Sequence, residues 1–201
     1  MRRRTTGLVS RREEIIRAAA KTFAAKGYLA TTLDEIAKEI GVSKPALYYH
    51  IKNKEEILRE IIGRIMEPME EVAKVGQSDL PPKERVETMI RMLVKFAVER
   101  KEITLIALEQ SRMLPKRSQD ALRRRQKEVE KVLQDTLKEG KQQGVFAIDD
   151  IKMVSFAILA VSNWIYRWYQ PGGNLTSKVI ADQFIQFLEN GLLKKETGHK
   201  Q

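Results

Sequence analysis

Lys44, Tyr48, Tyr49 and His50 crowd into one heptapeptide, KPALYYH, with the small Ala46 among them. A cation, two phenols and an imidazole on a short helix suit a polyanion. The ammonium pairs with phosphate, phenolic OH groups donate to phosphate oxygens, ring faces rest on thymine methyls, and a small residue lets backbone approach backbone. Lys54 follows at the start of the next helical stretch, where free backbone N–H groups already favour a phosphate.

The flanking residues say how this set is held. Thr32 and Glu35 have capping-box spacing, so the hydroxyl and the carboxylate each satisfy an orphan N–H at a helix start. Leu33, Ile36, Ala37 and Ile40 then fall on one face. Gly41 suits the left-handed backbone of a helix end, Val42 plugs the angle, Ser43 caps the next helix, and Pro45 sits where a missing N–H costs nothing. The helix from Lys44 to about His50 offers only Leu47 and Ile51 to a core, which leaves its other side chains for contact. Asn53 caps another helix with Glu56 at its third position. Upstream, Ser10 and Glu13 have the spacing of a further capping box, and Ile15, Ile16, Ala19, Phe23 and Ala24 make an apolar face ended by Gly27. Two short helices across a tight turn are the arrangement that lays its second helix in a major groove.

From about Ser10 to Glu60, a helix ending in FAAKGY and then TTLDEIAKEIGVSKPALYYHIKNKEEIL resembles the DNA-binding domain of the TetR family of bacterial transcriptional repressors. Ile51 stands where that family commonly has Phe, which keeps the apolar anchor. The resemblance implies that Thr32, Ser43, Lys44, Pro45, Ala46, Tyr48, Tyr49, His50 and Lys54 occupy DNA-facing positions, with Tyr49 and Lys54 on phosphates. It implies an all-α protein with an N-terminal three-helix helix-turn-helix domain and a larger helical domain for ligand binding and dimerisation. It further implies a homodimer through the last two long helices on a palindromic double-stranded operator.

Composition agrees and excludes. A chain of 201 residues with 42% hydrophobic residues can bury a proper core, and a net charge of +10 favours a polyanionic partner. There are no cysteines, which removes disulfides, thiolate catalysis and Cys-based zinc sites. The two histidines, His50 and His199, build neither a triad nor a multi-His metal site, and no Gly-rich phosphate loop appears. The chain therefore reads as no enzyme, with no cofactor and no metal. The start MRRRTTGLVSRREE lacks the apolar core of a signal peptide. The longest uncharged run, Met153 to Tyr166, has 14 residues, short of the roughly 20 that span a membrane. A cytoplasmic protein without a membrane partner is expected.

Residues 1–9 form a basic arm with Arg2, Arg3 and Arg4, able to reach a minor groove or phosphates. The helix-turn-helix domain takes 10–56, and a linking helix of about 54–74 presents Ile57, Leu58, Ile61, Ile62, Ile65 and Met69 to one side, with Pro68 expected to kink it. After the linker GQSDLPP (76–82), residues 75–195 make the larger domain and 196–201 a tail. Its helical patterns run from Arg85 to Glu99, Ile103 to Met113, about Ser118 to Gln143, Asp150 to Tyr169 and Thr176 to Leu193. The stretch Met153 to Ile165 is apolar nearly all round, which predicts burial on several sides. A two-fold dimer would pair the last two helices into a four-helix bundle and set two reading heads on half-sites about 34 Å apart.

Residues 75–201 hold 22 basic and 16 acidic residues, and Arg112 to Lys131 alone hold eight and three. Glu109 is the main carboxylate available to a cationic ligand, and an anionic ligand fits better. The segment NWIYRWYQPGG (163–173) resembles its counterpart in TetR-family regulators of lipid catabolism, which sense fatty-acyl or steroid-derived coenzyme A thioesters. Such an effector needs an apolar tunnel, for which Phe96, Leu105, Leu108, Met113, Phe156, Leu159 and Trp164 are candidates, and cations for its phosphates, for which Arg123, Arg124, Arg125 and Arg167 are. Aromatics at helical spacing also suit a core or an interface, and a basic run also suits a solvated face. A multidrug-type sensor of lipophilic compounds is the alternative. A sequence-independent nucleoid-type protein is another, although it would not need the apolar distal domain.

Overall fold

A computed structural model describes residues 10–192. The basic arm, the tail and His199 lie outside the described residues. Among those described there are ten α-helices and a short 3-10 turn, with no strand: α1 Arg11–Lys26, α2 Leu33–Glu39, α3 Lys44–His50, α4 Lys54–Gly76, α5 Pro82–Glu99, α6 Lys101–Leu108, the turn Ser111–Met113, α7 Lys116–Gln142, α8 Ile151–Asn163, α9 Ile165–Trp168 and α10 Ser177–Leu192.

The apolar side chains gather into two cores. The first joins α1, α2, α3 and the first half of α4 through Ile15, Ile16, Phe23, Ile36, Leu47, Ile51, Ile57 and Ile61, and it also takes in Ile106, Leu114 and Leu122. The second is built by the far half of α4 with α5, α7, α8, α9 and α10. Met69 packs against both. Burying each such aliphatic or aromatic side chain stabilises the fold by about 1.5–3 kcal/mol.

Helix α4 is therefore shared by both cores, and it runs unbroken through Pro68. Its far end is clamped. The Gly76 carbonyl accepts from the Arg85 guanidinium at 3.0 Å and from Thr136 Oγ1 at 3.3 Å, and a Cβ on Gly76 would meet Val132 at 2.0 Å. A larger residue at Gly76 would force Val132 or one of the two helices to shift.

Four helical expectations are corrected. The stretch Asp150 to Tyr169 breaks at Trp164 into α8 and α9, and Ile103 to Met113 breaks after Leu108. The apolar girth of α8 does not mean all-round burial within one chain. Only Ser155, Ile158 and Ser162 are buried on it, while Met153 and Phe156 are exposed. Last, the Ser10 box forms only by half: Ser10 accepts from the Glu13 N–H, but the Glu13 carboxylate is taken by Arg17 and Arg64. Two guanidinium groups outbid a single backbone donor.

A candidate DNA-reading face and a candidate effector cavity

Local chemistry sets α3. Ser43 accepts from Ala46 N–H at 3.4 Å, Pro45 lies in the first turn, and Gly41 at φ 69° makes the left-handed step from α2. Thr32 and Glu35 close both halves of the capping box at the start of α2. The N–H of Thr32 and the ammonium of Lys26 together hold the Glu35 carboxyl down at about 2, the lysine being the larger cause.

With only Leu47 buried, α3 turns Ser43, Lys44, Pro45, Ala46, Tyr48 and Tyr49 outward, and His50 is half-buried. Tyr49 is 86% exposed, and its ring meets His50 edge-on at 5.1 Å. Nothing in the fold of one chain needs a tyrosine left standing in water. Lys44 is not free: it pairs with Asp34 at 2.9 Å, an exchangeable surface contact.

Lys54 is placed differently from the sequence expectation. Its ammonium donates to the carbonyls of Tyr28, Leu29 and Thr31 at 2.9, 3.3 and 2.8 Å, and lies 4.6 Å from the Tyr28 ring. All three ammonium donors are engaged on the α1–α2 turn, so Lys54 ties α4 to that turn. Arg12, unmarked by the sequence reading, does similar work on the other side. It donates to the His50 carbonyl at 2.5 Å, to Glu56 at 2.6 Å and to Glu60, joining α1, the end of α3 and α4. Its hydrogen bond lowers the Glu56 carboxyl below the usual range.

In the larger domain a cavity of ≈ 230 Å³ lies between α4, α5, α6, α7 and α8. Of the expected tunnel residues it gathers Phe96, Leu108 and Leu159. Leu105 is half-buried elsewhere on α6, and Met113, Phe156 and Trp164 are exposed, at 55%, 41% and 58%. Helix α4 adds Ile65 and Met69, which the sequence showed only as apolar positions of a linking helix.

The polar lining is Thr104, Gln126, Glu130 and Asn163. Glu130, not Glu109, is the cavity carboxylate; it accepts from Gln134 at 3.0 Å. Glu109 is exposed, accepts from the Tyr166 hydroxyl at 2.7 Å and pairs with Arg167 at 3.0 Å. Burial, with Glu109 second, pushes the Tyr166 phenol up to about 12, so it stays a donor at any physiological pH. Arg167 also faces the Trp164 ring at 5.5 Å. Arg125 is bridged to Glu70 and Glu128, whereas Arg123 and Arg124 are exposed, and none of the three lines the cavity. Among the described residues no group of acids and histidines could hold a metal, and no helix is long and apolar enough to cross a membrane.

Residues 15–61 match the family described as bacterial regulatory proteins, tetR family, and residues 79–192 match the tetracyclin repressor-like C-terminal domain. The transcriptional repressor KstR2 of Mycolicibacterium smegmatis is 28% identical over 93% of this chain and 93% of its own. The structure of the ketosteroid transcriptional regulator KstR2 of Mycobacterium tuberculosis superposes with a TM-score of 0.81 at 27% identity, over 96% of this chain and all of that one. The structure of AibR in complex with isovaleryl coenzyme A and operator DNA superposes with a TM-score of 0.72 at 29% identity, over 89% of this chain and 97% of that one.

Proposed function

The chain belongs to the TetR family of bacterial regulatory proteins and is a DNA-binding transcriptional repressor of that type, and we propose that a fatty-acyl-coenzyme A or related lipid thioester is the effector that releases it. The observation that carries the proposal is the apolar cavity, because two of its walls, Ile65 and Met69, belong to the helix whose other end holds the reading head. At ≈ 230 Å³ it falls below the range of about 300–1,000 Å³ usual for pockets that hold drug-sized ligands. It is the place for an acyl tail once its walls give, and it leaves the nucleotide outside. Asn163 leads from the cavity to the exposed Trp164, stacked with Arg167, a surface suited to adenine and phosphate. The neighbour solved with isovaleryl coenzyme A and operator DNA supports the same class of ligand.

The repressor binds a palindromic operator as a dimer, with Ser43, Lys44, Tyr48, Tyr49 and His50 of each α3 at the major groove and Thr32 at the flanking backbone. Exposed Met153, Phe156, Val179 and Phe187 on α8 and α10 support the interface. An acyl tail that fits only when Ile65 and Met69 shift favours an α4 position in which the two heads no longer match the operator, a population shift. Thermal denaturation tests it: palmitoyl-coenzyme A should raise the melting temperature while free coenzyme A does not, and Leu159→Trp, which fills the cavity, should abolish the response. No stabilisation by any acyl thioester would remove this effector class.

Glu130 favours a second reading, a lipophilic cation. Stabilisation by tetraphenylphosphonium that Glu130→Gln abolishes, with silence toward thioesters, would install it.

A further inference from the structure

The positive charge of this DNA-binding protein is concentrated outside its reading head. Residues 10–56 hold nine basic and seven acidic residues, a net +2, while residues 112–131 hold eight and three, a net +5. Much of the reading head's positive charge is engaged at home. Arg12, Arg17, Lys26 and Lys44 are ion-paired and Lys54 is held by three carbonyls.

The second region is different. Lys116, Arg125 and Lys131 pair with acids, but Arg112, Arg117, Arg123, Arg124 and Lys127 are exposed and have no ion-pair partner among the described residues. Arg117 and Arg124 are seven residues apart on α7, and Arg123 and Lys127 four. Arg117, Arg124 and Lys127 lie away from the buried Leu122, Val129 and Leu133, Arg123 flanks them, and Arg112 stands in the turn just before the helix. Like charges this close repel and cost stability, so a solvated helix has no folding reason to carry them.

This end of α7 stands on the reading head: Leu114 and Leu122 share its core with Phe23 and Tyr28, and the Gln110 amide donates to the Ala24 carbonyl at 3.0 Å. Ala24 lies one turn before the Tyr28–Thr31 segment that grips Lys54. We propose that the ridge Arg112, Arg117, Arg123, Arg124 and Lys127 is a second DNA contact, a sequence-independent phosphate surface that supplements α3. Phosphate contacts position a protein and raise affinity without reading bases, which fits a row of long side chains free of ion pairs along α7 and the turn before it.

The test is binding of a fluorescent random-sequence duplex, followed by anisotropy across NaCl concentrations, for the unsubstituted protein and for a variant combining Arg117→Ala, Arg123→Ala, Arg124→Ala and Lys127→Ala. The slope of log K against log salt should fall by about 0.9 for each phosphate released, roughly 3–4 for the set. Alanine keeps an exposed helix face helical, so the melting temperature should hold or rise. Replacing the three arginines by lysine should restore most of the slope, since a point charge suffices for a phosphate. An unchanged slope in the alanine variant overturns the proposal. So does an unchanged slope with lost stabilisation by palmitoyl-coenzyme A, which would assign the ridge to the thioester's phosphates. Absence of duplex binding by the unsubstituted protein would overturn it together with the DNA-binding reading of the reading head.

Discussion

The reading head and the bundle helices bury their apolar side chains to different ends. In the reading head the central aliphatics and Phe23 are out of water, with Ile15, Ile16, Phe23, Ile36 and Leu47 all at 0% exposure, Leu33 and Ile40 are partly covered, and the tyrosines left outside carry hydroxyl groups. On α8 and α10 the apolar supply exceeds what one chain can cover. Met153, Phe156, Val179 and Phe187 face water with no polar atom to offer it. The first region is complete within one chain and exposes what DNA can use. The second leaves apolar side chains uncovered, and what it exposes suits another apolar surface.

The largest effect that sharpens this contrast comes from truncating one aromatic in each region. Phe23→Ala removes a fully buried ring that packs edge-on against Tyr28 at 5.2 Å, and should cost about 3–5 kcal/mol in urea denaturation. Phe187, 71% exposed, should cost little when replaced by Ala, measured at protein concentrations where chains are apart. Equal costs would mean that Phe187 is already covered within its own chain. Phe187→Asp comes next. It should keep the helical circular dichroism and shift sedimentation from dimer to monomer, because a carboxylate would be buried unpaired between two chains. A dimer that survives this change would move the interface off this end of α10.

How far each region could be read from sequence follows from the range of its interactions. Thr32 with Glu35, Ser43 with Ala46 and Pro45 at a first turn are contacts of three residues or fewer, and the residues involved predict them directly. Leu47 and Ile51 were legible as core because α3 has nothing else to bury. Lys54 was not, since what captures it is the carbonyl cluster at Tyr28–Thr31, more than twenty residues back. The cavity was legible by half for the same reason. Phe96, Leu108 and Leu159 are apolar on amphipathic helices, but the contributions of Ile65, Glu130 and Asn163 depend on how five helices meet. Phe156 and Trp164 read as tunnel because an apolar residue looks the same in sequence whether it lines a cavity or stands on the surface.

The smallest effect contrasts the lowered carboxyls of the reading head with one raised carboxyl of the larger domain. The Arg64 guanidinium lowers the Glu13 carboxyl, Arg12 lowers Glu56, and Lys26 with the Thr32 backbone holds Glu35 at about 2, all from an ordinary 4.5. A carboxyl whose folded pKa is depressed contributes stability that is fully present above its unfolded value and is lost as pH falls through the folded one. The reading head should thus weaken from about pH 4.5 down toward 2. In the larger domain Lys178 and Arg91 lower Asp182 in the same sense, but Glu87 has the opposite sign: burial first, and then Glu189, raise it above 4.5. Folding takes up a proton there, so acidification through that raised value stabilises. Both tryptophans, Trp164 and Trp168, lie on the larger domain, so the two responses are separable in one titration. Ellipticity should begin to fall at a higher pH than tryptophan emission changes, and Glu13→Gln should narrow the gap by removing a pair worth about 1 kcal/mol or less. Coincident transitions would mean that the core shared through α4, α6 and Leu122 makes the two regions a single cooperative unit, and that the contrast between them is one of surface alone.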